Sequence, residues 1–422
     1  FNGKKSAVMA FNANKALRQR VKEEQWRLSG EEVEVKSRYK YLGVDTLTNV
    51  ADWNSHVDRV IAKARNKSRD LLWICRRDVG LRPRSAVTMW KAVVRPILEY
   101  AAELWAGEIS KAKANEIERI QTDFARAVLG LAGVHGVPNV LVRAELGLEK
   151  LESRREKLRL GYWRRIQVAR RDRAFYKVAA LRRMQVIVGV DVEGTKSWMW
   201  NTRSLMWKRS LGREWDEPWL CCFISKEDWK KRVYTEVDEC YDGRRMVELA
   251  GMKSVRRYVR VKNWQRMIVE RAAYVGEVGK LGALVCESYL DDMSEREATK
   301  LKLQCRAGCL PVMPRIMREV SMPAHWGVCL MCESGNIETV DHIIMECDAY
   351  TRDRERLLSK VAVACSVANV DCHFQDLARE EQLEIILGRC IGSNVAEENV
   401  DHAFKRFMKR AWRLRKRVTK EL

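Results

Sequence analysis

Side chains that favour burial recur at three- and four-residue steps in the first third of the chain, and this spacing constrains the fold more than any other feature. It is clearest over residues 52–75. The positions that recur there are Trp53, Val57, Val60, Ile61, Ala64, Ser68, Leu71 and Leu72. That period is typical of an amphipathic helix, which we expect to begin near Asp52. Because the 422 residues include only 7 Pro and 23 Gly, few turns are forced, and we predict a mainly α-helical protein.

Two further helices are predicted before residue 130. Pro83 lies near the start of the first, which we expect Pro96 to kink because proline removes a backbone donor. The second runs to Leu129 and ends at Gly130. With the preceding helix and short connections, these predict a three-helix bundle.

Residues 25–48 have a pattern that favours strands. Val33 and Val35 alternate with charged residues, and a second β-prone run follows at 39–44. A turn is expected at residues 29–30, which are Ser and Gly. We therefore predict a small β-hairpin region beside the helices.

The charge balance indicates an anionic partner. The chain has 79 Lys and Arg against 57 Asp and Glu, a net charge of +22 at pH 7. A surplus of this size repels itself unless an anion neutralises it, and nucleic acid is the commonest such partner. No stretch approaches the roughly 18 consecutive apolar residues of a transmembrane helix, so we expect no membrane partner.

Two segments concentrate the positive charge. Residues 150–183 hold 13 Lys and Arg against 3 Asp and Glu, and a basic helix is predicted over residues 403–422. Aromatic rings are interleaved with these cations, as on surfaces where bases stack: Tyr162, Trp163, Tyr176 and Trp412. The basic residues that we predict to bind nucleic acid are Arg154, Arg155, Arg164, Arg165, Arg170, Arg171, Arg413, Arg415, Lys416 and Arg417. The alternative is that these runs are only solvated helix faces.

Tryptophan and cysteine are both abundant and are interpreted mainly as core residues. Six of the 15 tryptophans fall within residues 195–230, which we interpret as core rather than as a base-binding surface. The thirteen cysteines are odd in number and dispersed, which is typical of small buried residues in a reducing compartment. Cys305 and Cys309 form a close pair, but no His follows at ligand spacing, so they are assigned to the core.

One group of cysteines has the spacing of metal ligands. Cys329 and Cys332 are separated by two residues, and His342 and Cys347 follow after nine more. Two thiolates from a tight turn, with a His and a Cys about one helical turn apart, can close a tetrahedral shell around zinc. Since all four positions are then filled by protein ligands, the predicted zinc is structural. The alternative is that the four residues are unrelated core residues.

A polymerase-like tetrapeptide is interpreted as a chance match. Tyr289-Leu290-Asp291-Asp292 spells the Y-x-D-D motif, in which paired carboxylates hold magnesium ions. That chemistry needs the aspartates at the tip of a hairpin between apolar strands, whereas residues 293–297 are polar and helix-forming. The chain shows no other arrangement typical of an active site.

Several motifs, in this order, resemble reverse transcriptases of non-LTR retrotransposons. Phe1-Asn2-x-x-Lys5-Ser6-x-Val8-Met9-x-Phe11 is similar to the segment after their catalytic hairpin, and the run Tyr39 to Val44 resembles their primer grip. Two further stretches resemble their thumb: Trp53-x-x-His56-Val57, and the run Arg95 to Tyr100 followed by Glu103-x-Trp105. The run Arg306 to Pro311 and the Cys329 to Cys347 group resemble their C-terminal zinc region.

The resemblance implies five consecutive parts. These are a palm remnant with a primer-grip-like hairpin (1–50), a thumb-like helical bundle (51–147), a basic and Trp-rich helical connection (148–300), a zinc-binding region (301–350) and a helical basic tail (351–422). It also implies that Tyr41, Leu42 and Gly43 contact nucleic acid and that Lys5 lies near the phosphates of the incoming nucleotide.

The implied function is that of the C-terminal part of an RNA-directed DNA polymerase. The metal-binding aspartates are then expected upstream of Phe1, so this chain alone is expected to be inactive, and magnesium is expected only in the intact enzyme. The implied partners are an RNA template and a DNA primer or target, and the implied location is the nucleus. The alternative is a non-catalytic, zinc-containing RNA- or DNA-binding protein derived from such an element. A purely structural helical scaffold would leave the charge of +22 without a partner.

Overall fold

The computed structural model describes residues 5–11, 13–48, 53–76, 81–170, 172–190, 197–252, 257–261, 286–292, 295–368 and 373–420. Within these ranges the protein is mainly α-helical, as the apolar spacing predicts, with two small antiparallel hairpins. None of the described helices is both long and apolar enough to cross a membrane. The described cysteines are all free thiols.

The bounds of the regular elements are as follows. The strands are β1 (Arg27–Leu28), β2 (Glu31–Glu32), β3 (Arg38–Tyr41) and β4 (Val44–Leu47). The first nine α-helices are α1 (Lys15–Glu23), α2 (Asn54–Arg76), α3 (Pro83–Met89), α4 (Arg95–Glu99), α5 (Ala102–Trp105), α6 (Lys111–Val128), α7 (Asn139–Glu145), α8 (Leu151–Gln167) and α9 (Ala174–Ile187). They are followed by α10 (Trp198–Lys208), α11 (Gly212–Asp216), α12 (Leu220–Phe223), α13 (Lys226–Ala250), α14 (Arg296–Arg306), α15 (Met313–Glu319), α16 (Thr351–Val367), α17 (Arg379–Ile386) and α18 (Asn394–Lys420). Single π-helical turns occupy Trp90–Val94 and His342–Glu346, and 3-10 turns occupy Ser288–Asp291, Ala324–Trp326, Asp348–Tyr350 and Phe374–Asp376.

The chain forms two compact units, each built from three separate stretches. Unit 1 contains Phe1–Trp73, Thr88–Gln121 and Glu149–Tyr241. Unit 2 contains Ile74–Val87, Thr122–Leu148 and Asp242–Leu422. The five consecutive parts expected from the sequence stay a prediction.

The predicted kink at Pro96 takes the form of a widened helical turn. The N–H of Arg95 donates to the carbonyl of Trp90, five residues earlier, so Trp90–Val94 is π-helical. Proline has no N–H with which to continue an α-helical ladder, and a π-turn is a common way to absorb such a break. The helix predicted over residues 52–75 is α2, although Asp52 itself lies outside the described residues.

Helix α1 was not predicted from the sequence. None of its residues is buried, and Leu17 and Val21 are its only large apolar side chains, which is too short a pattern for a periodicity argument to detect. Its one local signal is Asn14, whose side-chain oxygen accepts a hydrogen bond from the N–H of Leu17 at 2.8 Å, as an N-cap does. Near the start of the described chain, an isolated β-bridge joins Val8 to Val35.

Both hairpins turn through two residues with positive φ. The β1–β2 turn is Ser29 and Gly30, where the sequence predicts it, and the β3–β4 turn is Leu42 and Gly43, with φ of 45° and 83°. Pairs of positive φ values match the right-handed twist of the flanking strands. The second hairpin therefore holds a leucine in a conformation that favours glycine or asparagine.

The Trp-rich segment contributes to the apolar core of unit 1. Trp163 and Trp215 are fully buried and stack with ring centroids 4.7 Å apart. Trp229 is buried in the same cluster, whereas Trp207 and Trp219 are more than half exposed. The segment is thus largely core, but two of its rings lie at the surface.

We expect Trp215→Ala to lower the free energy of unfolding by about 3–5 kcal/mol, because the change leaves a cavity against Trp163. The matched change Trp219→Ala should lower it by less than about 1 kcal/mol, because that ring is half exposed. Urea unfolding followed by circular dichroism measures both. Equal losses in the two variants would contradict the described packing.

Unit 2 has an apolar core that extends from Leu301 to Trp412. Helix α18 packs against α14 and α16, and the buried residues Cys329, Ile344 and Cys347 belong to the same cluster. The segment that carries the predicted zinc ligands therefore shares its core with the C-terminal basic helix.

Buried ion pairs join distant segments of unit 2. The guanidinium of Arg306 lies 2.9 Å from a carboxylate oxygen of Glu145 and 3.1 Å from one of Glu287. The ammonium groups of Lys302 and Lys405 each lie 2.6 Å from Asp401. Since an unpaired buried charge is strongly destabilising, these contacts specify which segments of unit 2 must meet.

The polymerase-like tetrapeptide lies at one of these junctions. Its residues form a 3-10 turn, not the tip of a hairpin. The hydroxyl of Tyr289 donates to Glu145, Asp291 pairs with Arg84 at 2.9 Å, and Asp292 pairs with Lys405 at 3.2 Å. Both carboxylates therefore hold cations of the protein, which agrees with the interpretation as a chance match.

Candidate nucleic-acid interface and metal centre

The turn between β3 and β4 is an exposed apolar tip. Tyr41 and Leu42 are 64% and 74% exposed, which is unusual for side chains of their size and type. The tip is rigidly held from behind. A guanidinium nitrogen of Arg59 donates to the carbonyl of Gly43 at 2.7 Å, and the hydroxyl of Tyr100 donates to the carbonyl of Leu42.

Gly43 is required at this turn for two reasons. Its φ of 83° is strained for any residue with a side chain, and a Cβ there would lie 3.2 Å from the ring of Tyr100. The close approach of Tyr100 therefore depends on glycine. Together these contacts fix the direction in which the exposed tip points.

A buried histidine supports the hairpin. The backbone N–H of Asp45 and a guanidinium nitrogen of Arg59 both lie near Nδ1 of His56, at 3.3 and 3.1 Å. Because two donors face Nδ1, this nitrogen must accept, and the ring is neutral. Burial lowers the pKa of His56, and the positive charge of Arg59 lowers it further, while Asp45 opposes the shift. The ring also has edge contacts with Trp53 and Trp105.

Four motifs of the resemblance meet around this hairpin in unit 1. The hydroxyl of Tyr39 donates to the carbonyl of Lys5, which joins the first motif to the primer-grip-like run. His56 and Tyr100 belong to the two thumb-like motifs. The indole N–H of Trp105 donates to the carbonyl of Tyr100 at 2.9 Å. Residues that are up to 100 positions apart in the sequence therefore form one local site.

We expect the stability of the protein to fall as the pH falls through about 6.5, the ordinary pKa of histidine. Below that pH the unfolded chain takes up a proton that folded His56 resists, so the stability is full above this pH and is lost on acidification. His56→Asn keeps an acceptor near the position of Nδ1 and does not titrate, so it should reduce the pH dependence. Urea unfolding at a series of pH values measures this.

The control for this experiment is His325→Asn, since His325 is exposed. It should leave the pH dependence unchanged. If His56→Asn changes the pH dependence of the stability no more than the control does, the assignment of His56 as a buried, neutral histidine is wrong.

The predicted nucleic-acid-binding arginines divide into exposed and internal groups. Five lie at the surface: Arg165, Arg170, Arg413, Lys416 and Arg417. Arg154 is half-buried against Glu99 and Glu149, and Arg164 donates to the carbonyl of Ile224 at 2.7 Å. Arg171 lies outside the described residues. The exposed side chains are therefore the ones that could contact nucleic acid without any rearrangement of the protein.

Four predicted contact residues are buried, and the interpretation of their side chains needs correction. Arg155 is 3% exposed, and Arg415 is 4% exposed with two hydrogen bonds to Glu338. Trp163 and Trp412 lie in the two apolar cores. Composition could not reveal this, because a run of cations on a helix also includes its inward face.

The predicted metal ligands come together in unit 2. One ligand atom from each of Cys329, Cys332, His342 and Cys347 lies within 4.8 Å of all the others, and this group can hold a metal ion. The Sγ atoms of Cys329 and Cys347 are 3.8 Å apart, and Sγ of Cys332 is 3.4 Å from Nε2 of His342. A tetrahedral zinc ion with bonds of about 2.3 Å to sulfur and about 2.0 Å to nitrogen places its ligands about 3.5–3.8 Å apart. The spacing thus fits zinc.

Local backbone structure positions the ligands. The N–H of Cys329 donates to the carbonyl of Asn336 at 2.8 Å, which closes the loop that carries Cys332. Gly335, with φ of 70°, allows the loop to turn. On the other side, a π-helical turn brings the N–H of Cys347 to the carbonyl of His342 at 2.7 Å. The five-residue spacing of these two ligands therefore places them at the start and just after the end of a single turn, one above the other.

The thiols differ in their readiness to ionise. Burial raises the pKa of Cys347 to about 12 and raises that of Cys329. Burial also opposes ionisation of Cys332, but hydrogen bonds from the side chain and backbone of Ser334 and from His342 outweigh it and lower the pKa to about 6. A buried pair of thiolates needs a compensating cation, which a divalent metal supplies.

A carboxylate near His342 completes the arrangement. Oε2 of Glu346 lies 3.5 Å from Nδ1 of His342, on the side of the ring away from Cys332. Ligating histidines commonly have a carboxylate at the second ring nitrogen, which orients the ring. A metal ion held by all four protein ligands would have no open position for an activated water, which is consistent with a structural site.

Sequence reasoning missed two supporting residues. Arg59 follows His56 by three residues on α2, so helical spacing could have placed both on the face behind the hairpin. Glu338 lies between the ligands Cys332 and His342 in the sequence, accepts hydrogen bonds from Arg415, and also accepts from the N–H of Met313 at 2.6 Å. No local pattern predicts a pair that is 77 residues apart.

We expect the purified chain to contain about one zinc ion, and Cys332→Ser to lose it, because a tetrahedral structural site needs all four ligands. In zinc-finger peptides the binding free energy of the metal is roughly 10–16 kcal/mol. A loss of zinc should therefore remove much of the local stability around the four ligands. Elemental analysis after gel filtration measures the metal content.

The matched controls are Cys305→Ala and Cys309→Ala, since both cysteines are buried outside the ligand group. Both variants should retain the metal. Loss of zinc from these controls, together with retention in Cys332→Ser, would show that the ligands have been assigned to the wrong cysteines.

No protein-family model, curated protein or solved structure matches this chain.

Proposed function

We propose that this chain is the C-terminal, nucleic-acid-holding part of a non-LTR retrotransposon reverse transcriptase. The observation that carries the proposal is the meeting of four motifs of the resemblance at the β3–β4 turn. Residues on either side of the turn, at positions 5, 56 and 100, hold or support it from behind. A tip held in this way can press Tyr41 and Leu42 against a primer end.

The charge of the surface supports nucleic acid as the partner. Arg165, Arg170, Arg413 and Arg417 are exposed on α8 and α18 or just after α8. In this proposal they contact the phosphates of the RNA template and DNA primer, whose binding is then strongly salt-dependent. The chain supports the polymerase by holding these strands in the nucleus, while the reaction and its magnesium ions belong to the palm of the intact enzyme.

The metal group has a structural role in this proposal. Cys329, Cys332, His342 and Cys347 hold a zinc ion that joins the two halves of residues 329–347. Lys5, next to the hairpin, is assigned to the phosphates of the incoming nucleotide in the intact enzyme. These assignments rest on the residues that the resemblance implies.

The charge and the metal group also support a second candidate function, which does not depend on the hairpin. It is a non-catalytic, zinc-containing RNA- or DNA-binding protein derived from such an element. Both candidates bind phosphates and lose affinity as salt rises, but only the first has a reason to distinguish a primer end.

The discriminating experiment compares two RNA–DNA hybrids of equal length and composition. One has a recessed DNA 3′ end, and the other has a recessed DNA 5′ end. We expect roughly tenfold tighter binding to the first, because burying an apolar side chain such as Leu42 against the end contributes about 1.5 kcal/mol or more. Fluorescence anisotropy measures both affinities.

Leu42→Asn should remove this preference, because asparagine tolerates the positive φ of the turn but presents no apolar surface. Leu17→Asn is the matched control, since Leu17 is a similarly exposed leucine on α1. Equal binding of the two hybrids by the unaltered chain would favour the second candidate. No salt-dependent binding to either hybrid would exclude both.

A further inference from the structure

A cavity of about 540 Å³ that is open to solvent lies at the surface where α8 ends and α9 begins, within unit 1. Three arginines and two aromatic residues contribute to its lining: Arg165, Arg170, Arg173, Tyr162 and Phe175. Its size is within the range of about 300–1,000 Å³ that is typical of small-ligand sites. The site is thus concave, partly apolar and rich in guanidinium groups.

The polar part of the lining is exposed to solvent and available to a ligand. The side chains of Arg165 and Arg170 are 68% and 78% exposed. Their acidic neighbours are weakly engaged, since Arg170 has an exposed pair with Asp172 and Arg165 is 3.9 Å from Glu103. Exposed ion pairs of this kind contribute little free energy and can be exchanged for contacts with a phosphate.

The aromatic part of the lining is held in place from behind. The ring of Tyr162 packs edge-on against Trp198, with centroids 5.7 Å apart, and the guanidinium of Arg165 lies 4.7 Å from the centre of the same ring. Phe175 is 43% exposed on the opposite side of the helix junction. A flat ligand can therefore contact a fixed ring and a cation at the same time.

We propose that this cavity binds one unpaired nucleotide of a single-stranded nucleic acid. The guanidinium groups of Arg170 and Arg173 bind its phosphate, and its base stacks on Phe175 or Tyr162. The inference rests on the proposed nucleic-acid-holding function and adds a preference for unpaired bases, because a base within a duplex cannot enter a cavity lined by rings.

The combination of arginines and aromatic rings in the lining favours a nucleotide over other ligands. A phosphate alone requires no rings, and an apolar peptide requires no cluster of arginines. A nucleotide presents a divided surface, with an anion at one end and a flat apolar face at the other. The cavity offers both kinds of group, since arginines and aromatic rings line it together.

The test uses the full chain and two probes, a fluorescein-labelled single-stranded dodecanucleotide and the same sequence as a duplex. Loss of one stacked base should weaken binding of the single strand by Phe175→Leu about fivefold or more and leave duplex binding almost unchanged. Phe223→Leu is the matched control, since Phe223 is an 84% exposed phenylalanine in the same unit. It should leave both affinities unchanged, and circular dichroism confirms that each variant is folded.

The outcomes separate this inference from the proposed function. If Phe175→Leu binds both probes as the unaltered chain does, or weakens both equally, the nucleotide site is wrong while phosphate binding by the surface stands. If the unaltered chain does not bind the duplex but binds the single strand through Phe175, the general phosphate surface is wrong and the cavity stands. Co-sedimentation with phosphatidylserine vesicles is the third arm. Vesicle binding that depends on Phe175, with unchanged single-strand binding, would assign the cavity to a lipid surface instead.

Discussion

A cation that folding removes from water must be paired with an anion, and the organisation of unit 2 depends on this requirement. Arg306 meets Glu145 across 161 residues of sequence, and Arg415 meets Glu338 across 77 residues. Many arrangements of the helices would bury the apolar side chains about equally well. Few of these arrangements would also give each buried guanidinium a carboxylate, and leaving one unpaired is strongly destabilising. The apolar stripes of α14, α16 and α18 alone would determine the arrangement of the segments less closely. The ion pairs therefore select one arrangement.

This pairing changes which residues form the basic surface without reducing its charge. These internal groups combine similar numbers of cations and carboxylates, so nearly all of the net charge of +22 remains with the other residues of the chain. Arg155 and Arg415 are withdrawn from the surface, while Arg165, Arg170 and Arg413 remain on it. The anionic partner that we propose would therefore make its contacts on the outward faces of helices that are anchored by their inward cations.

The sequence predicted features that depend on local spacing. The helix α2, the Ser29–Gly30 turn and the ligand group of Cys329 to Cys347 all follow from residues within about 25 positions of one another. The features that it did not predict depend on long-range partners, such as the burial of Arg415, or have only a short apolar pattern, such as α1. The support of the β3–β4 turn by Tyr100 was not predicted either, because no spacing rule connects residues 42 and 100.

Helix α18 links the metal group to the basic surface. Successive residues of an α-helix are about 100° apart, so Arg413 and Arg417 share one face, and Arg415 lies nearly opposite them. Arg415 is bound to Glu338, which is held by the same segment that carries His342. The contact between Glu338 and Arg415 adds to the apolar contacts of α18 with α14 and α16, which together set the rotation of α18 about its axis. A metal ion bound by the four ligands would hold the segment of Glu338 in place, and would thereby support the orientation of the helix that carries the exposed cations.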